Sequence, residues 1–176
     1  MTKIIVDHTY LNWPFFEDYH RKLAADLENW CQNNLQNIDH SDVDEACRNI
    51  LGKLASGGWL KYVVPKAYSG IFETLEVRSL CIIRETLARH DGLADFVFAM
   101  QGLGSGTIVL FGSEELKQQY LPDVAAGKKM AAFALTELDS GSDVANMSTS
   151  AEIKGDHYQI NGAKTYISNG GIADYY

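Results

Sequence analysis

The apolar residues of this chain change period near residue 128, and that change constrains the fold more than any other feature. Before it they recur three and four residues apart, the spacing of helices with one buried face; after it they alternate. Phe16, Tyr19, Leu23, Leu27 and Trp30 predict a first helix, with Pro14 in its opening turn. Val43, Ala46, Cys47, Ile50, Leu51 and Leu54 predict a second. Asp42, with Glu45 three residues on, opens it as a capping box, and Gly57-Gly58 closes it. Leu75, Ile82, Ile83 and Leu87 place a third helix over about 73–90, and a very apolar fourth covers about 94–111 after an Asp91-Gly92 turn. Ser113, followed by Glu114 and Glu115, caps a fifth that runs to about Tyr120. Pro122 kinks or restarts it and Gly127 ends the helical half. Residues 1–12 read as an extended arm, 59–65 as an apolar connector and 66–70 as a turn.

Beyond the change, residues 130–136 predict a strand. Thr149, Ala151 and Ile153, then Tyr158 and Ile160, alternate outward and inward, with Lys154-Gly155-Asp156 and Asn161-Gly162 as hairpin turns. Residues 173–176 read as a last strand. The expected fold class is therefore α+β. An all-α helical bundle over residues 1–128 precedes the first strands of an incomplete antiparallel β-domain over 129–176. A handful of strands makes a poor independent domain, so the chain is expected to belong to a longer protein.

Composition excludes several functions. The net charge of −8 speaks against a nucleic-acid surface, and no Lys/Arg run exceeds two residues. No apolar stretch is expected to reach transmembrane length. The N-terminal residues show neither an apolar signal core nor an Arg-rich presequence, so the expected location is cytoplasmic. Cys31, Cys47 and Cys81 are far apart and form no C-x-x-C, which reads as reduced, buried thiols. His8, His20, His40, His90 and His157 form no i,i+3 or i,i+4 pair, so no protein-bound metal is expected.

Two stretches near the end carry the chemistry. Residues 133–143 read Phe-Ala-Leu-Thr-Glu-Leu-Asp-Ser-Gly-Ser-Asp: an apolar run that enters a turn of hydroxyls, acids and one glycine. Such a turn presents N–H groups and hydroxyls to a phosphate. Residues 161–171 read Asn-Gly-Ala-Lys-Thr-Tyr-Ile-Ser-Asn-Gly-Gly, a tight turn followed by an aromatic, β-branched run. Together they suit a planar cofactor with a pyrophosphate tail. Residues 139–143 lack the spacing of a calcium loop, and no G-x-S-x-G elbow occurs there. Gly102-Leu-Gly104-Ser-Gly106 lacks the full dinucleotide spacing and sits in a helical pattern, so it reads as small residues for close helix packing.

Thr136-Glu137 and Gly141-Ser142-Asp143, followed by Gly155-Asp156, Ile160-Asn161-Gly162, Lys164, Ile167 and Ser168-Asn169-Gly170-Gly171, resemble the acyl-CoA dehydrogenase family. The resemblance implies an FAD-dependent enzyme that oxidises an acyl thioester between Cα and Cβ. It implies that Phe133, Leu135 and Thr136 pass the flavin ring and that Gly141 and Ser142 meet the pyrophosphate. Ser142 also touches the CoA side of the substrate, and Tyr166 and Ser168 cover the other side of the flavin. Phe96, Ala99 and Met100 become candidates for the wall of the acyl pocket, with plain core packing as the alternative. The family's catalytic base is a carboxylate in a C-terminal helical domain, so no residue of this chain is assigned as catalytic, Glu137 and Asp143 included. Implied partners are an acyl-CoA or acyl-carrier thioester, an electron-transfer flavoprotein, and further copies of the chain in a homodimer or homotetramer. Two departures stand out: Tyr68-Ser69-Gly70 where the family has a Gly-Gly pair, and Tyr166-Ile167-Ser168 where it usually has Trp-Ile-Thr. The residues leave open a non-catalytic docking module, a degenerate homologue, and carrier-protein-linked or oxygen-using relatives.

Overall fold

The computed structural model describes residues 6–176. Five helices, α1 (Asp18–Asn34), α2 (Val43–Ser56), α3 (Val77–His90), α4 (Gly92–Phe111) and α5 (Glu114–Ala125), precede two strands, β1 (Ser150–Lys154) and β2 (His157–Asn161). Every helix contributes to one apolar core. Leu27 and Cys31 come from α1, Ile50 and Leu54 from α2, Ile83 and Leu87 from α3, Val97 and Phe98 from α4, and Leu121 and Val124 from α5. Leu60 and Val64 of the connector fill the remaining space. Leu27, Ile50, Leu54, Ile83 and Leu87 are positions that the helical spacing marks, because burial of one stripe per helix supplies most of the driving force, whereas Leu121 and Val124 lie past the expected end of the fifth helix.

The helix ends differ from the sequence reading where side chains act as caps. Pro14 lies in a turn before α1, which opens at Asp18 with Glu17 as its cap. His20 reciprocates: its Nδ1 accepts the Glu17 N–H at 3.0 Å. α3 starts at Val77 rather than near residue 73, because the Glu76 carboxylate accepts the Ser79 N–H at 2.7 Å and serves as cap. Asp91-Gly92 is no free turn. Asp91 ends α3 and caps α4, accepting from the Leu93 and Ala94 N–H groups. Asp42 and Ser113 cap α2 and α5 as expected. Pro122 does not restart α5, which continues through it to Ala125, where Leu121, Val124 and Ala125 are buried. Residues 1–5 of the expected arm lie outside the described residues, and Thr9–Asn12 forms a 3-10 turn that buries Leu11. Cys31 and Cys47 are buried thiols, but Cys81 is exposed.

α4 meets the length and composition of a membrane span, 20 residues with a mean hydropathy of 1.4, which the sequence reading did not anticipate. It also packs against α2, α3 and α5, burying Ala94, Val97, Phe98, Gln101, Gly104 and Ser105. That face carries two buried polar side chains, Gln101 and Ser105, while Leu103, Leu110 and Phe111 are exposed.

Residues 130–136 are extended but form no regular strand; Ala131 makes a single parallel bridge to Tyr175. Residues 173–176 are likewise no strand beyond that bridge. β1 and β2 pair antiparallel around the Gly155-Asp156 turn, with Ala151 opposite Ile160 and Ile153 opposite Tyr158. The expected inward face is absent: every residue of both strands is exposed. Asn161-Gly162 ends the hairpin instead of forming a second one. A Cβ at Gly162 would lie 2.8 Å from the Thr149 Cα, so the glycine permits a close chain crossing rather than a turn.

Ser69 adopts a left-handed backbone (φ 77°). A side chain there costs about 1 kcal/mol. Ser69→Gly is therefore expected to raise unfolding stability by up to about 1 kcal/mol, less what glycine gains in the unfolded chain. The midpoint of denaturant unfolding checks this; an unchanged or lowered midpoint contradicts it.

Candidate functional site

The site is built on the extended segment 130–136, whose backbone groups are satisfied largely by side chains. Gln101, fully buried on α4, spans the start of the segment: its Nε2 donates to the Lys129 carbonyl at 2.9 Å and its Oε1 accepts the Ala131 N–H at 2.8 Å. Gly104, one turn on, lets the segment lie against the helix, since a Cβ there would sit 2.6 Å from the Ala131 Cβ. Gly102 and Gly106 have room for a methyl group, so only the middle glycine of the run is needed for close packing. On the other side, Asp174 accepts the Met130 N–H at 2.6 Å, and Asn169, itself left-handed (φ 61°), donates to the Ala131 carbonyl at 2.9 Å.

Further along, the two motifs meet. The Thr165 N–H donates to the Thr136 carbonyl at 2.9 Å. Lys164 Nζ donates to the Leu135 carbonyl and to Glu137 Oε1, both at 2.8 Å. The Glu137 side chain is 5% exposed and collects four donors: Lys164, the Ser148 N–H and hydroxyl at 2.7 Å, and the Thr149 N–H at 3.0 Å. The Lys164 ammonium, then the donors of Thr149 and Ser148, hold this carboxyl well below the usual carboxylate range against a smaller opposing effect of burial.

Around this frame Phe133 is partly exposed and Leu135 and Thr136 half-buried. Gly141 and Ser142 stand on an exposed loop, and Ser168 is half-buried in the turn after Tyr166. Tyr166 is 88% exposed on a left-handed backbone, φ 55°. Of the three α4 candidates, Ala99 lines an apolar recess of 260 Å³ with Val63, Leu75, Leu80, Phe98 and Leu103. Phe96 packs against the core and Met100 is half-buried. Arg84 also touches the recess, with its guanidinium held by both Asp95 carboxylate oxygens at 2.8 and 3.0 Å.

The site's chemistry fits a flavin with a pyrophosphate tail. A bulky residue held at positive φ costs about 1–3 kcal/mol, and Tyr166 recovers none of it by burial within this chain. Its ring is free to lie against a planar group. Leu138, at 84% exposure, adds apolar surface on the loop side of residues 133–143. Among the described residues no group of His, Cys, Asp or Glu could hold a metal ion. Sequence reasoning gave no role to Gln101, Asn169 or the Glu137–Lys164 pair. The available signal for Gln101 was a lone amide inside a very apolar helix.

The helical half and this pairing of motifs place the chain in one protein family. It belongs to the acyl-CoA dehydrogenase family: residues 17–128 match the family's N-terminal domain and residues 132–176 its middle domain. It is 41% identical over 139 residues to a probable acyl-CoA dehydrogenase of Mycobacterium tuberculosis, covering 77% of this chain and 35% of that protein. A caffeyl-CoA reductase-Etf complex subunit of Acetobacterium woodii is 35% identical over 158 residues, 88% of this chain and 40% of that one. An acyl-CoA dehydrogenase from Bacillus anthracis, crystallised with FAD, superposes with a TM-score of 0.79 at 34% identity, covering 91% of this chain and 29% of that chain. The chain thus spans about a third of the length of the curated relatives it matches.

Proposed function

We propose that this chain supplies the helical domain and the opening of the β-domain of an FAD-dependent acyl-CoA dehydrogenase, which oxidises an acyl thioester between Cα and Cβ. The observation that carries the reading is the hydrogen bond from Thr165 to Thr136, which sets the two cofactor motifs side by side. FAD, when bound, supplies the acceptor for the hydride that leaves Cβ. The backbone of 133–136 and the Thr136 hydroxyl bind its polar ring edge. Gly141 and Ser142 offer N–H and O–H groups to the pyrophosphate, and Ser142 also to the thioester side of the substrate. Tyr166 and Ser168 cover the flavin and exclude water from it. Ala99, with Phe96 and Met100 on the same helix, borders the acyl chain. Glu137 does not remove the α-proton, because its carboxylate is already committed to four donors. The base comes from the longer protein. An Etf-type flavoprotein takes the electrons, as the name of the A. woodii relative suggests. The three free thiols suit a reducing cytoplasm. The exposed Leu103, Leu110 and Phe111 of α4 offer apolar surface for a homodimer or homotetramer.

The test is to purify the full-length protein, count FAD per chain, and assay acyl-CoA-dependent reduction of an artificial electron acceptor. Bound FAD with turnover supports the reading; a folded protein without either overturns it in favour of a non-catalytic module. Within that protein, Ser142→Ala is expected to weaken FAD and thioester binding roughly tenfold to a hundredfold, the worth of one hydrogen bond to a charged group. Its thermal melt should match wild type, because Ser142 is exposed. Equal affinities would make the turn only a turn.

A further inference from the structure

We propose that Glu137 is a positioning residue of the cofactor and thioester site. Paired with Lys164, it fixes the loop that carries Gly141 and Ser142 against the segment that carries Tyr166 and Ser168. The inference rests on the flavin reading above.

Both ends of that loop return to Glu137. At the near end its N–H donates to the Ser140 carbonyl at 2.9 Å, and the Ser140 N–H donates back to its carbonyl at 3.2 Å. At the far end the carboxylate accepts from the Ser148 N–H and hydroxyl and from the Thr149 N–H. Between them, residues 141–148 are all exposed. Burial therefore does little to hold the loop, and an exposed loop without such ties samples many conformations. Inside it, the Ser140 hydroxyl donates to the Asp143 carbonyl at 2.7 Å and tightens the turn at Gly141-Ser142. Lys164 provides the second half of the clamp. From two residues before Tyr166 in the chain, its ammonium bridges the carboxylate and the Leu135 carbonyl. One ion pair thus joins three segments: the one past the ring, the one beneath the phosphates and the one over the ring. Charge-assisted bonds of this kind are about twice as strong as neutral ones, and this one is 5% exposed on the acid side and 23% on the base side.

The experiment uses the full-length holoenzyme with Glu137→Gln, Lys164→Met, the double variant, and Glu137→Asp as a milder change. In the FAD-free forms, hydrogen exchange at Ser148, Thr149 and Thr165 is expected to quicken at least roughly tenfold in Glu137→Gln. With FAD, the flavin Kd and the acyl-CoA KM should each rise roughly tenfold, while kcat at saturation stays within about twofold. The flavin visible spectrum should change shape, Glu137→Asp should fall between, and the double variant should be no worse than the worse single one. Wild-type exchange with an unchanged Kd and KM overturns the proposal. So does a lower melting temperature without change in Kd and KM, which describes a structural role alone. A fall in kcat at constant KM would also overturn it, because Glu137 would then act on the reacting atoms. If the wild-type protein holds no FAD, the flavin reading itself fails. The exchange result still reports separately whether the ion pair fixes the loop.

Discussion

Replacing Gln101 with leucine is expected to remove about 2–6 kcal/mol of unfolding stability. The change is close in volume, so the cost does not come from a cavity. It comes from two backbone groups, the Lys129 carbonyl and the Ala131 N–H, that the amide satisfies inside the protein. Each buried polar group left without a partner costs about 1–3 kcal/mol. The neighbours offer little relief: Ala131 and Ala132 are buried, and Gly104 already brings α4 as close as backbone allows. The same change frees the segment that leads into Phe133 and Thr136, so FAD affinity should fall with stability. Denaturant unfolding, with hydrogen exchange at Ala131, measures both. A loss under about 1 kcal/mol would mean that the segment finds other partners and that Gln101 is not its anchor.

Acid is expected to loosen the junction of α1 and α3 through Glu76. Burial pushes this carboxyl up, but hydrogen bonds from Arg78, Ser79 and His20 outweigh it and bring it to about 2 from an ordinary 4.5. A carboxyl held low in the folded state binds its proton more readily when unfolded. Its contribution is therefore complete above about pH 4.5 and disappears as the pH falls toward about 2. The shift corresponds to about 3 kcal/mol, and partial solvent access reduces it to about 2–3 kcal/mol. Arg78 donates to Glu76 Oε1 at 2.6 Å and also to the Phe15 carbonyl, so protonation releases the entry to α1 as well as the cap of α3. Glu76→Gln should be less stable than wild type by that amount at neutral pH, and the gap should close toward pH 2. A gap that stays constant with pH would show that Glu76 contributes by shape alone.

The sequence carried most of the helical half, because each helix buries one stripe and that stripe has a period. It misplaced ends where an unexpected side chain caps a helix, as Glu76 does, and where a helix continues through a local signal, as at Pro122. The β half was less legible. Alternation at Ala151, Ile153, Tyr158 and Ile160 predicts an inward face, yet both faces of the hairpin are exposed among the described residues. Residues 130–136 read as a strand but take their hydrogen bonds from the side chains of Gln101, Asp174, Asn169 and Lys164 and from the backbone of Asp174, Tyr175 and Thr165, partners far apart in sequence that no local pattern announces. The site motifs were legible as residue types. Their meeting through Thr136 and Thr165 is a tertiary fact, and the Glu137–Lys164 pair looked like an ordinary piece of a turn until its donors were assembled.

The most direct measurement is an anaerobic titration of the purified full-length protein with acyl-CoA thioesters, followed in the flavin visible band. The protein is expected to carry FAD, and a suitable saturated thioester to bleach the band while the unsaturated product forms. A folded protein that carries no flavin, or one whose flavin no saturated thioester bleaches, would contradict this expectation.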